Sequence, residues 1–440
     1  MKSALPKVLH PLAGRPMLLH VVAAAAEATG TRPLLVLNPA HAGVAAAVQG
    51  LVDPVEQAEP RGTGDALRSV PGALRSVGQV VVINGDLPLL RADTVRALIR
   101  AQTSTGAACV LLTVAPGSPA GLGRVVRGAA GRVERIVEER DLAALGTVPA
   151  ECNAGVYVFS GERLWPALER LSTNNAQDEY YLTDVVALLA PDVEAVVAAD
   201  PDEGLGINDR VQLAAAEAIL RRRLLEALML DGVTVDDPVT TFVDWGVKVG
   251  RDTVLRPMTC LAGGTVIGRD CEIGPMAQIR DSRVGDRVRV GASVVDGSEI
   301  GDGVRIGHFD RIRPNSLLES GVSLGTHAEV KNSTIGADSR INHFSCVLDS
   351  DVGRRVNIGA GTVTCNYDGR TKHRTAIGDD VFVGSNSSLV APLRIGRGAY
   401  VAAASIVDRD VPEGALAVGR ARQRTIEGWR DRARLGHPDA

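Results

Sequence analysis

The sequence predicts two folds in tandem: a Rossmann-like α/β domain with a mostly parallel sheet, then a left-handed parallel β-helix of hexapeptide repeats. Three observations carry this expectation. Up to about residue 205, short aliphatic runs alternate with segments of helical composition. Residues 209–230 form a stretch rich in Ala, Leu and Arg that lacks Gly and Pro. After about residue 250, an aliphatic residue followed by Gly recurs at intervals of six. A chain of 440 residues is in any case longer than one ordinary core organises.

In the first part RPLLVLN (32–38), QVVVING (79–85) and AACVLLTV (107–114) read as strands, with helices over MLLHVVAAAAEA (17–28) and ADTVRALIRAQ (92–102). Unbroken apolar runs between helices point to a mostly parallel sheet covered on both faces. In such sheets ligands bind beyond the carboxyl ends of the strands. In DRVQLAAAEAILRRRLLEALML (209–230), Leu213, Leu220, Leu224 and Leu228 fall near helical spacing and predict a long amphipathic connector. The expected partition is therefore 1–206, a linker helix over 207–230, and 231–440.

The third part repeats Ile267-Gly268 and Ile273-Gly274, Val284-Gly285 and Val290-Gly291, Ile300-Gly301 and Ile306-Gly307, Val352-Gly353 and Ile358-Gly359, Ile377-Gly378 and Val383-Gly384. Ile395-Gly396 and Val401 continue the series. Such a period predicts a triangular coil of roughly eighteen residues, its aliphatic residues pointing into a narrow prism and small residues turning the corners. An aromatic content of 3% suits so thin a core. The gap from Ile358-Gly359 to Ile377-Gly378 is 19 residues, so NIGAGTVTCNYDG (357–369) should begin on a coil and end as a loop thrown out of it. A solenoid leaves flanks to cover, and side-by-side association, most often as a trimer, is the natural solution.

A net charge of -4 with interspersed signs argues against a general nucleic-acid surface or a polybasic membrane arm. No segment approaches the roughly twenty apolar residues that span a bilayer, and MKSALPKVLHPLAG lacks a signal peptide's apolar centre. The reading is cytosolic, without nucleic-acid or membrane partners. Cysteines 109, 152, 260, 271, 346 and 365 show no CxxC or zinc spacing and read as reduced thiols. Only five of the 48 basic residues are lysines (2, 7, 248, 331 and 372). A Lys kept in so Arg-rich a chain points to a place that needs a compact ammonium.

The motifs LPKVLHPLAGRPML, QAEPRGTGDA, NGDLPLL, TNNAQDEYYLTD and NIGAGTVTCNYDG occur in the order found in a known family. On them the chain resembles the bifunctional N-acetylglucosamine-1-phosphate uridyltransferase/glucosamine-1-phosphate N-acetyltransferases, from about residue 1 to IEGW (426–429). The resemblance implies a nucleotidyltransferase domain that uses UTP and Mg²⁺. Asp86 and Asn208 would contact the metal. Lys7 would neutralise phosphate, Gln57, Gly62 and Thr63 would read uracil, and Gly123, Glu138 and Asn153 would hold the sugar, with Asn208 also lining that site. In the solenoid it implies acetyl transfer from acetyl-CoA, with His343 as the base, a task suited to an imidazole. Arg313 and Lys331 would bind the sugar phosphate. Asn357 and Asn366 would orient the reactants with Tyr367 beside them, and Ala360, Lys372, Ser385, Ala403 and Arg420 would contact coenzyme A. The product pathway would be UDP-N-acetylglucosamine synthesis.

Two departures stand out. The family opens with a strand and a glycine-rich loop, LAAGxGTRMxS, whose N–H groups and Arg cradle the triphosphate. This chain begins at MKS, with Met1 on the internal Met of that motif. The expectation is a natural polypeptide that begins upstream, and weak uridyl transfer by the 440-residue form. Three residues after the base the family carries a Tyr that hydrogen-bonds the sugar phosphate, where this chain has Cys346, a poorer donor. Two rival readings are a sugar-1-phosphate nucleotidyltransferase whose solenoid only oligomerises, and a scaffold subunit without activity.

Overall fold

The computed structural model describes residues 1–430 except 118, 120, 129, 130, 145, 146 and 176. The tail RDRARLGHPDA, expected to be disordered, lies from residue 431 outside the described residues. The chain divides into two compact units, Met1–Arg223 and Leu224–Ala440. The division falls within a single helix, Arg210–Leu230. Along that helix the fully buried apolar residues are Ala216, Leu220 and Leu225; Leu225 takes the inward place that spacing alone assigned to Leu224. Among the described residues no helix is long and apolar enough to cross a membrane.

In the first unit, strands β1 (Leu34–Leu37) and β2 (Asp53–Glu56) form a separate parallel pair. The main sheet contains β3 (Gln79–Ile83), β4 (Cys109–Val114), β5 (Arg124–Arg127), β6 (Val133–Val137), β7 (Cys152–Ser160) and β8 (Val193–Val197). Four of these strands, β3, β4, β5 and β8, run in one direction. Yet β7 is inserted antiparallel between β3 and β4, and β6 is antiparallel to β5, so β8 with β4 is the one parallel hydrogen-bonded pair in this sheet. Apolar runs report burial on both faces, and strand direction leaves no mark in them. Successive residues of β4 and β7 alternate between two cores. Val110, Leu112, Val156 and Val158 pack with Val95 and Leu98 of helix Ala92–Thr105, whereas Leu111, Tyr157 and Phe159 pack with Leu164, Val185 and Val186.

The second unit is a prism of three parallel sheets, here called the first, second and third faces, of 11, 10 and 9 strands. Strands Val254–Leu255, Cys260–Ala262 and Val266–Ile267 make one coil, and each pairs in parallel with its counterpart one coil later. Every repeat residue predicted to point inward, from Ile267 and Ile273 through Ile358, Val383 and Val401, is buried in one continuous core. Each such residue contributes about 1.5–3 kcal/mol by burial. Corners need a left-handed residue, and this chain often uses non-glycine residues there: Phe309, His327 and Phe344 between the first and second faces, Asn315, Asn332 and Asp349 between the second and third. Buried hydroxyls link coils, as where Ser293 Oγ donates to Gly307 O (3.0 Å) and accepts from Asp310 N–H (2.9 Å). At Gly307 a Cβ would come 1.7 Å from Gly325 O, so no side chain fits. The loop after Cys365 leaves the coil and returns at Thr375.

Candidate functional site

A cavity of about 390 Å³ opens at the carboxyl ends of β3 and β4 in the first unit. Of the residues singled out by sequence, Thr63, Asp86, Gly123, Glu138, Asn153 and Asn208 line it. Lys7 stands at its edge, its ammonium held by Asp86 Oδ2 (2.7 Å) and Asn208 Oδ1 (2.9 Å). Two oxygens thus converge on one cation. An Mg²⁺ ion, which keeps water and substrate phosphates among its ligands, needs few protein oxygens. Asp86 and Asn208 fit that requirement.

Gln57 and Gly62 flank the cavity. Gln57 Nε2 donates to Asp65 Oδ2 (2.8 Å), and Gly62 takes φ +111° with its Cα so close to Tyr180 that a Cβ would meet Tyr180 O at 2.6 Å. Thr63 Oγ1 accepts from Leu182 N–H (3.1 Å) and so ties the QAEPRGTGDA loop to the TNNAQDEYYLTD segment. Burial pushes the Glu138 carboxyl up; the Thr183 hydroxyl at 2.8 Å opposes this, and Asp184 and Asp141 add to it. Asn153 donates to Tyr157 Oη (2.7 Å) and accepts from Gly155 N–H (3.1 Å), which fixes its orientation. Sequence reasoning missed Asn84, Gln177, Glu179, Tyr181 and Gln212, which also line the cavity. Four of them, Asn84, Gln177, Glu179 and Tyr181, lie inside recognised motifs without having been singled out.

In the solenoid the chosen residues form two clusters at opposite edges of the second face. At the corner with the first face, Thr326 N–H donates to His343 Nδ1 (3.0 Å), and Thr326 Oγ1 lies 3.2 Å from the same nitrogen. Backbone bonds then run along this corner. Gly361 N–H donates to His343 O, Asn386 N–H to Ala360 O, and Ala404 N–H to Ser385 O. His343, Ala360, Ser385 and Ala403 therefore follow one another on successive coils, and exposed Arg420 follows the last strand, Leu416–Ala417. Asn357 joins from the first face, in contact with Asn342 (3.4 Å).

At the other edge, Lys331 and Lys372 are adjacent. The ammonium of Lys372, then the charge of Arg313, holds Lys331 below an ordinary lysine. Asp349 binds Asn332 and the Asn366 amide. Burial pushes the Asp349 carboxyl up, but these amides, Lys372 and Lys331 outweigh it and leave it lowered. Arg313 bonds Glu329 Oε1 (2.9 Å), and Glu329 lies in register beside Cys346. Tyr367 is exposed on the excursion, bridged to Lys372. Lys372 thus stands with the phosphate-type cations, across the face from Ala360, Ser385 and Ala403. Cys346 lies on the outer face between the two clusters, half-buried, its thiol pushed up by burial and then by Glu329.

The first unit matches the MobA-like NTP transferase domain family over residues 1–185. Relatives named "Bifunctional protein GlmU" match nearly the whole chain. The protein of Thermobifida fusca (strain YX) is 46% identical over 451 residues, covering 100% of this chain and 93% of the relative. That of Geobacillus sp. (strain WCH70) is 42% identical over 436 residues, 98% of this chain and 95% of the relative. That of Streptomyces avermitilis is 43% identical over 445 residues, 99% and 92%. The chain belongs to the bifunctional GlmU family. As a GlmU-family member it is a transferase that joins acetyl transfer and uridyl transfer in the synthesis of UDP-N-acetylglucosamine. The cavity lies in the unit that the NTP transferase family matches.

Proposed function

We propose that the two units divide the two reactions at the residues placed above, with 1–206 carrying uridyl transfer, 231–440 carrying acetyl transfer, and helix 207–230 joining them. For uridyl transfer, UTP and N-acetylglucosamine-1-phosphate meet in the cavity at Asp86. Bound there by Asp86 and Asn208, Mg²⁺ would supply positive charge to the phosphates. Lys7 neutralises phosphate beside it, Gln57, Gly62 and Thr63 hold the uracil, and Gly123, Glu138 and Asn153 grip the sugar.

For acetyl transfer, glucosamine-1-phosphate lies across the outer surface of the second face. Its phosphate meets Arg313 and Lys331 at one edge, and its amine reaches His343 at the other. Asn357 and Asn366 orient the sugar and the acetyl group, with Tyr367 alongside. His343 takes a proton from the amine as the nitrogen attacks the thioester, the C–S bond breaks, and the proton passes to the departing sulfur so that coenzyme A leaves as its thiol. Base action by Nε2 needs the tautomer with the proton on Nδ1, and Thr326 Oγ1 is the acceptor within reach. Acetyl-CoA runs along the corner of Ala360, Ser385, Ala403 and Arg420, while Lys372 stands at the opposite edge beside Lys331. A homotrimer packs these edges into a crevice.

The observation that carries this reading is the pair of clusters at opposite edges of the second face, an imidazole at one and the adjacent ammonium groups of Lys331 and Lys372 at the other. The test assays the half-reactions separately: thiol release from acetyl-CoA with glucosamine-1-phosphate, and pyrophosphate release from UTP with N-acetylglucosamine-1-phosphate. Loss of the first in His343→Ala and of the second in Asp86→Ala or on chelation of divalent metal is expected. Thiol release unchanged in His343→Ala would favour a solenoid that only oligomerises.

A further inference from the structure

The outward residues of the first face run in register, coil after coil, as Glu272, Arg289, Arg305, Ser323, Arg340 and Asn357. All three arginines are exposed. Among the described residues, none of them has an ion pair. The contrast with the neighbouring corner is sharp. There Arg269 pairs with Asp286, Arg287 with Asp302 and Arg355 with Asp380, each cation met by an acid from the next coil. Glu272, next in the column, gives its carboxylate to Arg256 (2.8 Å). Like charges directly opposite on paired strands destabilise a sheet, and Arg289 lies directly opposite Arg305. Gly291 and Gly307 stand two residues after Arg289 and Arg305 and add no side chain beside them.

We infer that Arg289, Arg305 and Arg340 form an electrostatic track that draws anionic acetyl-transfer substrates toward Asn357 and His343. This inference rests on the acetyl-transfer reading above. The three are positioning residues, since none is placed in contact with the reacting atoms. With strands about 4.8 Å apart, Arg340 stands about 5 Å from the Asn357 position along the column, Arg305 about 14 Å and Arg289 about 19 Å. A screening length of about 30 Å at 0.01 M salt lets all three act on a substrate anion as it approaches the Asn357 position, whereas about 8 Å at 0.15 M leaves only Arg340. Salt therefore separates the far arginines from any contact role.

The test titrates glucosamine-1-phosphate by calorimetry into the unmodified protein and the R289S/R305S variant at both salt concentrations. For an anion no nearer to Arg305 and Arg289 than the Asn357 position, Coulomb's law in water, screened as above, gives at most about threefold weaker binding for the variant at 0.01 M and less than about 1.3-fold at 0.15 M. The melting temperature should be unchanged or higher, because the in-register repulsion is gone. Equal affinities at 0.01 M, or a deficit that persists undiminished at 0.15 M, overturn the track. Thiol release in the same samples reads the underlying assignment independently: binding without acetyl transfer would sink that assignment and leave the affinity comparison to judge the track.

Discussion

Lys331 and Lys372 stand side by side although they are 41 residues apart in the chain, because the excursion after Cys365 folds back against the coil that carries Lys331. Two ammonium groups in contact repel, and a dianion placed between them relieves the repulsion. Free Lys331 therefore gives up its proton at a lower pH than an ordinary lysine, first because of Lys372 and then Arg313. A bound phosphate pushes it back up, so affinity is full below that value and falls as pH rises through it. Lys331→Gln should raise KM for glucosamine-1-phosphate about tenfold to a hundredfold with kcat little changed, the scale of a charge-assisted hydrogen bond. In Lys372→Gln the alkaline limb of kcat/KM should move to higher pH. A limb that stays put would show that the two lysines do not sense one another.

His343 is held by Thr326 twice, once by the backbone N–H and once by the hydroxyl, both at Nδ1. While the N–H donates there, the neutral ring carries its proton on Nε2 and cannot act as a base through that atom. The hydroxyl offers an acceptor for the opposite tautomer. Thr326→Val keeps the backbone and the shape while removing that acceptor. It should lower kcat for acetyl transfer roughly tenfold or more with KM unchanged, and Thr326→Ser should restore it. His343→Ala should cost about 10²–10⁴-fold. Uridyl transfer is the internal control, and stopped-time assays of both products on each variant check all of this.

What the sequence made legible follows from period and from local motif. Inward residues such as Ile300 and Val383 are legible because six-residue spacing is itself the geometry. Of the five lysines, Lys331 and Lys372 stand side by side, and Lys7 bonds Asp86 and Asn208. Asp349, Asn332 and Glu329 escaped notice because their partners lie a coil away, at a separation that no local pattern marks. The antiparallel insertion of β7 was hidden for a related reason: Val156 and Val158 look the same to their neighbours whichever way the strand runs. Leu225 replaced Leu224 because one position of helical phase, 100°, exceeds what four leucines at approximate spacing determine.

Cys346 lies midway between His343's edge and the cations, with Glu329 in register beside it on the outer surface of the second face. A thiol there donates weakly to a phosphate or hydroxyl passing over it. Cys346→Tyr supplies a phenolic donor at a place where the surface is open, and should lower KM for glucosamine-1-phosphate by about fivefold or more, the value of roughly one added hydrogen bond of 1 kcal/mol. Acetyl-CoA saturation should not move. A change in the acetyl-CoA KM instead would mean that the thioester, and not the sugar, lies over this residue.

Asp310 occupies a position where the coils before and two after carry Ser293 and Ser345, and it is 2% exposed. One carboxylate oxygen accepts from Ala328 N–H (2.7 Å), while among the described residues Oδ2 has no hydrogen-bond partner of good geometry. Burial pushes this carboxyl up to about 6 against the lowering effect of its backbone donors. The folded state therefore holds the proton more tightly than the unfolded chain, whose Asp titrates near 3.9. The sign follows: the group costs nothing below about pH 4, its cost grows as pH rises toward 6, and it is fully present above that. Asp310→Asn keeps the shape and the acceptor for Ala328 while removing the charge. It should leave the melting temperature unchanged below about pH 4, raise it by about half the full effect near pH 5 and raise it fully at pH 8, by the equivalent of ~1–3 kcal/mol less whatever the unpaired amide costs. Thermal unfolding of both proteins across that range checks this, and a variant destabilised equally at every pH would show that the carboxylate is satisfied where it sits.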